Sequence, residues 1–240
     1  MNLNDFSEIF KKYLEKIEIV LDETQIKKFY DYMNLLIEWN EKINLTAIVE
    51  PKEIILKHFV DSLTICKYIK ENETLADVGT GAGFPGIPIS IVYPKMNITL
   101  VDSLNKRINF LNEVINKLNL KNVKTYHSRI EDFGKDKKER EKYDIVTARA
   151  VANLSTLSEY LIPITKIGGK CLCMKGSNIE EEIINGKNAI KILGGKIEKI
   201  DSFNLPLSDI ERNIVIISKI NKTPNRYPRK AGLPSKEPIK

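Results

Sequence analysis

From Leu75 onward the sequence alternates between short β-type runs and helix-type runs, and that alternation limits the fold more than any other feature. The candidate strands are Leu75–Val78, Asn97–Asp102, Val123–His127, Asp144–Ala148, Lys170–Lys175, Lys196–Ile200 and Asn213–Lys219. Helical periodicity lies between them near 86–92, 104–119, 155–162 and 178–193. Alternation of this kind calls for a mostly parallel sheet covered by helices on both faces. The last two runs are joined only by residues 201–211, too short for a helical crossover, so they are expected to pair antiparallel. The expected fold is therefore α/β, a seven-stranded sheet whose last strand is reversed.

About 70 residues of helical pattern precede the first strand. Residues 5–20 and 22–40 both read as amphipathic helices. In the second, Ile26, Phe29, Tyr30, Met33, Leu36, Ile37 and Asn40 recur at three- and four-residue steps behind Asp22 as N-cap. Residues 40–46 read as a loop. Pro51 opens a third helix with Ile55, Phe59, Ser62, Leu63, Cys66 and Ile69 on its buried stripe. The organisation expected is a helical extension packed on the core (1–70), a sheet domain (71–220) and a tail (221–240).

The first strand runs into Gly79-Thr80-Gly81-Ala82-Gly83-Phe84-Pro85-Gly86, a loop whose backbone can approach a ligand closely. Two readings compete. Residues 81–86 fit the dinucleotide fingerprint G-x-G-x-x-G, and Asp102 follows at about the spacing that fingerprint expects. Against it, the strand ends at Val78, so the first tight turn is Gly79-Thr80-Gly81, with Asp77 two residues before it. D-x-G-x-G-x-G after a strand resembles motif I of the S-adenosylmethionine-dependent methyltransferases. A seven-strand sheet with a reversed last strand is likewise their class I (Rossmann-like) arrangement. At this point a nicotinamide or flavin ligand stays as the alternative.

In such sheets ligands bind beyond the carboxyl ends of the strands at the switch point of strand order. That rule points to the end of the first strand and its loop, with Asp77, Gly79, Gly81 and Gly83, and to Asp102 at the end of the second, where a carboxylate can accept ribose hydroxyls. Ile130 and Glu131 follow the third strand, placed to hold an adenine, and Arg149 ends the fourth. Arg149 is the candidate catalytic residue, for orienting the cofactor carboxylate or a target base.

Charge points to a partner. The net charge is +6, and residues 219–240, with seven cations against Glu237 alone, account for all of that excess. A basic tail on a neutral body suits a polyanion. Arg226, Tyr227, Arg229, Lys230 and Lys236 combine cations with an aromatic ring in an extended, proline-rich segment, a composition suited to a polyanion and, under the resemblance given below, to RNA. No run approaches the length of a membrane span, and Met1–Phe6 lacks the pattern of a signal peptide, so a cytosolic protein without a membrane partner is expected. The three cysteines and two histidines lack zinc-site spacing; buried, reduced thiols and no metal are expected. A strand-borne cysteine serving as the nucleophile of pyrimidine methylation is the lesser alternative.

Several longer stretches are more specific. Residues 39–48 (Trp-Asn-Glu-Lys-Ile-Asn-Leu-Thr-Ala-Ile), 57–63 (Lys-His-Phe-Val-Asp-Ser-Leu), 77–88, 147–152 (Thr-Ala-Arg-Ala-Val-Ala) and 227–234 (Tyr-Pro-Arg-Lys-Ala-Gly-Leu-Pro) together resemble the bacterial 16S ribosomal RNA guanine-N7 methyltransferases, also called glucose-inhibited division protein B. The resemblance runs over nearly the whole chain. It implies S-adenosylmethionine contacts at Gly79, Phe84, Asp102, Ile130, Glu131 and Arg149, a guanosine substrate in the 530 loop of 16S rRNA within the small ribosomal subunit, and a monomer. Guanine N7 carries a lone pair and no proton, so its methylation asks for alignment rather than a general base. His58 and Asp61, three apart on one helix, read as a capping or packing pair.

Overall fold

Two helices, α1 (Leu3–Lys16) and α2 (Glu23–Ile43), open the chain. The computed structural model describes all 240 residues. A capping box starts α2: the Asp22 carboxylate accepts from Gln25 N at 2.7 Å while the Gln25 side chain accepts from Asp22 N at 3.0 Å. The helix outlasts the loop expected from Asn40 because Asn44 takes the left-handed cap position (φ 49°). Asn40 then holds the turn, its side-chain oxygen accepting from Leu45 N and Thr46 N.

The third helix is not uniform. Pro51 starts α3 (Pro51–Ile54), six residues (Ile55–Val60) follow in π-helical pitch, and α4 (Asp61–Leu63) resumes the ordinary turn. The wider pitch shifts the register of the expected stripe, yet Ile55, Phe59 and Leu63 remain buried.

The sheet strands are β1 (Leu75–Val78), β2 (Ile98–Asp102), β3 (Val123–His127), β4 (Tyr143–Arg149), β5 (Thr165–Lys175), β6 (Gly195–Asn204) and β7 (Glu211–Lys219). Their order is β3-β2-β1-β4-β5-β7-β6. The pairs from β3 through β5 are parallel, and β7 runs antiparallel to both of its neighbours, as expected. The last hairpin is longer than its apolar core because pairing continues past Ile200 to Asn204 against Glu211. The helices after the strands are α5 (Gly86–Val92), α6 (Asn105–Lys117), α7 (Ile130–Lys135), α8 (Leu154–Leu161) and α9 (Glu180–Ile192). Strand order reverses between β1 and β4, which fixes the switch point.

Two apolar layers flank the sheet. On one face a cluster of 36 buried residues joins α1, α2 and the π segment to α5, α6 and the sheet. Its aromatic rings run from Phe10 through Phe29 and Phe59 to Tyr32 and Phe84, with successive centroids 4.9–5.4 Å apart. Burying each ring contributes about 1.5–3 kcal/mol. Residues 1–70 and the sheet therefore share a single core. The other face packs α7, α8 and α9 in a second cluster of 22 residues. No helix is long and apolar enough to cross a membrane.

The tail departs from expectation. Tyr227 is buried in the second cluster. Arg140 clasps the segment, donating to the carbonyls of Thr223 at 2.8 Å and Tyr227 at 2.7 Å. Arg229 forks onto the fully buried Glu159 at 2.7–3.1 Å. The sequence closes with a short turn of helix, α10 (Leu233–Lys236), against α8. So Tyr227 and Arg229 are turned inward, engaged by partners distant in sequence. Arg226, Lys230 and Lys236 remain exposed.

Candidate functional site

β1 ends in a glycine loop held by its own backbone and by two acids. Gly79 N and Thr80 N both donate to the Val101 carbonyl, tying the turn to β2. Asp77 is fully buried; its Oδ2 accepts from Thr80 Oγ1 at 2.6 Å and from Gly86 N at 2.8 Å, so one carboxylate closes the loop at both ends. Its Oδ1 meets no donor within the protein. Burial pushes the Asp77 carboxyl up to about 6, against the pull of those hydrogen bonds. From outside, the Tyr32 hydroxyl of α2 donates to the Ala82 carbonyl.

Gly79 is a position in the loop where a side chain does not fit. Its φ is +65°, and a Cβ there would lie 2.8 Å from a Val151 methyl. Gly79→Ala is expected to cost about 1–2 kcal/mol through the left-handed backbone alone, and to weaken ligand binding as Val151 gives way. Urea unfolding and calorimetric titration check both; unchanged values in the two measurements would contradict the close approach.

Asp102, at the end of β2, is buried and busy. Oδ2 accepts from Gly81 N at 3.0 Å and from Arg107 Nη1 at 3.3 Å, and Oδ1 accepts from Leu104 N at 2.9 Å. A carboxylate offers about four lone-pair sites, so Oδ1 keeps capacity for a ligand hydroxyl. Arg107 went unremarked in the sequence, although its place on the first turn of α6, five residues after Asp102, was the available signal.

The expected residues do not all meet: Asp77, Gly81 and Gly83 stay within the loop and outside the lining of the crevice, and the others form two groups. Gly79, Asp102, Ile130 and Glu131 line a common crevice of about 240 Å³, with Val151, Arg129, Tyr160, Gly232 and Ser235 among the rest of its wall. Phe84 and Arg149 are not in that crevice; they meet on the side of the loop facing the N-terminal helices. The Arg149 guanidinium lies 5.0 Å over the Phe84 ring, and the His58 ring stacks on the same phenyl at 4.5 Å.

Arg149 was expected at the end of the fourth strand, over the crevice. Instead it donates to the Lys57 carbonyl at 3.0 Å, to Asp61 Oδ2 at 3.1 Å and to His58 Nδ1 at 3.1 Å. Asp61 takes a second guanidinium on Oδ1, from Arg212 of β7 at 3.1 Å. The π segment and α4 thus supply a bracket for two arginines, more than the packing pair expected of His58 and Asp61. A guanidinium only donates, so Nδ1 of His58 is the acceptor and Nε2 carries the proton toward Thr46 Oγ1 at 2.9 Å. Burial, with Arg149 adjacent, lowers the His58 pKa to about 3, which keeps the ring neutral.

Cys66, Cys171 and Cys173 are free and buried. Burial pushes the first two up to about 12 and about 11, so neither supplies a thiolate near neutral pH. No group of three or more His, Cys, Asp or Glu side chains is placed to hold a metal ion.

The glycine loop suits a ligand that approaches backbone, and the unpartnered, fully buried Asp77 Oδ1 suits a cationic amino group beside it. What separates this sheet from the six-stranded dinucleotide fold is the reversed β7 inserted between β5 and β6. With that strand and the β1–β4 crevice, the chain falls among the class I methyltransferases, enzymes that draw their methyl group from S-adenosylmethionine. The fold is shared with an S-adenosylmethionine-dependent methyltransferase from Aquifex aeolicus (TM-score 0.50, 19% identity, 70% of this chain and 93% of that one). It is shared also with M. jannaschii TYW2 in complex with AdoMet (TM-score 0.53, 15% identity, 67% and 75%). The family model of GidB, rRNA small subunit methyltransferase G, matches residues 25–215. Ribosomal RNA small subunit methyltransferase G of Acetivibrio thermocellus is 57% identical, covering 91% of this chain and 90% of its own length. Its counterpart from Desulforamulus reducens is 52% identical over 99% and 100%. The chain belongs to the rRNA small subunit methyltransferase G family.

Proposed function

We propose that this enzyme methylates N7 of a guanosine in the 530 loop of 16S ribosomal RNA, in the cytoplasm and as a monomer whose crevice is walled by its own residues. The observation that carries the chemistry is that His58, Asp61 and Asp102, beside the switch point, are already committed. His58 is neutral between Thr46 and Arg149, Asp61 holds two guanidinium groups, and Asp102 accepts three donors. Such a set positions; it does not need to take a proton, and N7 has none to give.

When bound, S-adenosylmethionine supplies a methyl group on a sulfonium. Gly79 and Gly81 would admit its amino-acid part along the loop backbone, with Asp77 Oδ1 for the ammonium, while Gly83 packs into the core against Tyr32, Ile87 and Leu111. Asp102 accepts a ribose hydroxyl, and Ile130 and Glu131 flank the adenine. Arg149, held beside the buried Phe84, would orient the target base toward the methyl donor; alignment of that kind supplies much of the acceleration. The base leaves its stack to arrive there. Arg226, Lys230 and Lys236, exposed along the tail, are left as phosphate contacts.

Reduction and aniline cleavage of 16S rRNA maps N7-methylguanosine directly. Deletion of the gene is expected to abolish one cleavage in the 530 loop, and the intact gene to restore it. A cleavage pattern identical in the two strains would overturn the assignment.

A further inference from the structure

The tail carries the whole excess charge of the chain and would, on composition, be an RNA arm. Its contacts describe something else. Arg140 grips its root through main-chain carbonyls, and the Arg229–Glu159 pair fixes its middle. Thr156 Oγ1 donates to the Pro234 carbonyl at 3.0 Å, and Ser155 Oγ donates to the Ile239 carbonyl at 2.5 Å. Between these anchors Gly232 N donates to Glu131 Oε1 at 2.7 Å, and Gly232 and Ser235 line the same crevice as Asp102 and Tyr160.

We propose that residues 227–240 are a built part of the methyl-donor site: they close its purine end and position Glu131. This inference rests on the reading that the crevice takes S-adenosylmethionine. Glu131 is 4% exposed and has no cation bonded to it; its only protein donor is the Gly232 amide. A buried carboxylate is costly unless hydrogen-bonded. One oxygen is satisfied by the tail, and the second has no protein donor, which suits a ligand amine or hydroxyl. Gly232 can aim its amide there because its φ is +81°, a conformation in which side chains are strained. Glycine at this position and glutamate at 131 thus form one device, joined across 101 residues of sequence. The exposed Lys230 and Lys236 sit on the outer face of the same segment, while its backbone serves the inside.

Calorimetric titration with S-adenosylhomocysteine and with methylthioadenosine, which lacks the amino-acid part, tests this on three proteins. They are the full chain, a chain ending at Ala231, and the full chain carrying Ser235→Trp. Ser235 is exposed, and its hydroxyl bonds only at the crevice mouth, to the Gly232 carbonyl and to Tyr160, so the indole should fill the purine end with the fold intact. Both altered chains are expected to bind both ligands at least about ten-fold more weakly (~1.4 kcal/mol), with Ser235→Trp melting like the parent. Failure of the full chain to bind S-adenosylhomocysteine would overturn the reading of the crevice itself. Normal binding by the full chain and unchanged affinity in Ser235→Trp would overturn the role of the tail, whether or not the shortened chain folds.

Discussion

Arg149→Ala is expected to lower methyl transfer by about 100-fold or more while the protein stays folded. The guanidinium fixes three acceptors at once, the Lys57 carbonyl, Asp61 and His58, and covers Phe84. Without it the target base is no longer oriented, and a misplacement of about 1 Å can cost about 100-fold in rate. The fold survives because Asp61 keeps Arg212 as a partner, so no buried carboxylate is left bare. The stability cost is the loss of the Arg149 donor at the Lys57 carbonyl, His58 Nδ1 and Asp61 Oδ2, about 1–3 kcal/mol for each that stays buried and bare. Arg149→Lys should not rescue turnover, since a single ammonium cannot span three acceptors in the geometry of a fork. Methylation of rRNA at saturating donor, followed together with thermal unfolding, decides the matter. Unimpaired turnover with normal donor affinity would reject the assignment.

Asp77→Asn should weaken S-adenosylhomocysteine binding by about 30- to 100-fold, the worth of about 2–3 kcal/mol for a hydrogen bond between charged groups. The same substitution should not destabilise the ligand-free protein. Folding raises this carboxyl from an ordinary 3.8 to about 6. The folded state therefore holds the proton more tightly than the unfolded chain, and the stability this contributes is fully present below about pH 4 and lost as pH rises through about 6. At neutral pH the ionised, half-satisfied carboxylate is a burden that asparagine relieves. Ligand affinity runs the opposite way: it should fall as pH drops through about 6, because a protonated Asp77 cannot pair with an ammonium. In Asp77→Asn that pH dependence should flatten. Titrations between pH 5 and 7.5 on both proteins give the answer; wild-type affinity indifferent to pH would sink the pairing, and a marked drop in the melting temperature of the variant would reduce Asp77 to a loop fastener.

The strands and their order of α and β were legible in the sequence because both patterns are local: period two in Val123–His127, three- and four-residue steps in α2. The reversed β7 was legible from the length of the connection before it. The glycine loop could be placed because its register relative to Val78 is a matter of counting. Less visible was α7, a six-residue helix containing Gly134, too short to show periodicity. The π segment was invisible, since nothing in Ile55–Val60 distinguishes one helical pitch from another. Partners across the chain were hidden as well. Arg149 finds His58 and Asp61 about 90 residues away, and Arg229 finds Glu159 at 70. Counting charge located the tail but could not tell that two of its residues, Tyr227 and Arg229, were anchors.

The place of β7 has a consequence for how the chain can be assembled. β5 is made long before β7, and β6 has no strand to pair with until β7 arrives between them. Until residue 219 has been synthesised, β5 presents an open edge of apolar residues from Cys171 to Met174, a template for any strand nearby. The five parallel strands can gather early; the sheet closes only in a late, single insertion. Slow translation or a nonsense codon before Glu211 should thus yield sticky fragments rather than a smaller stable domain.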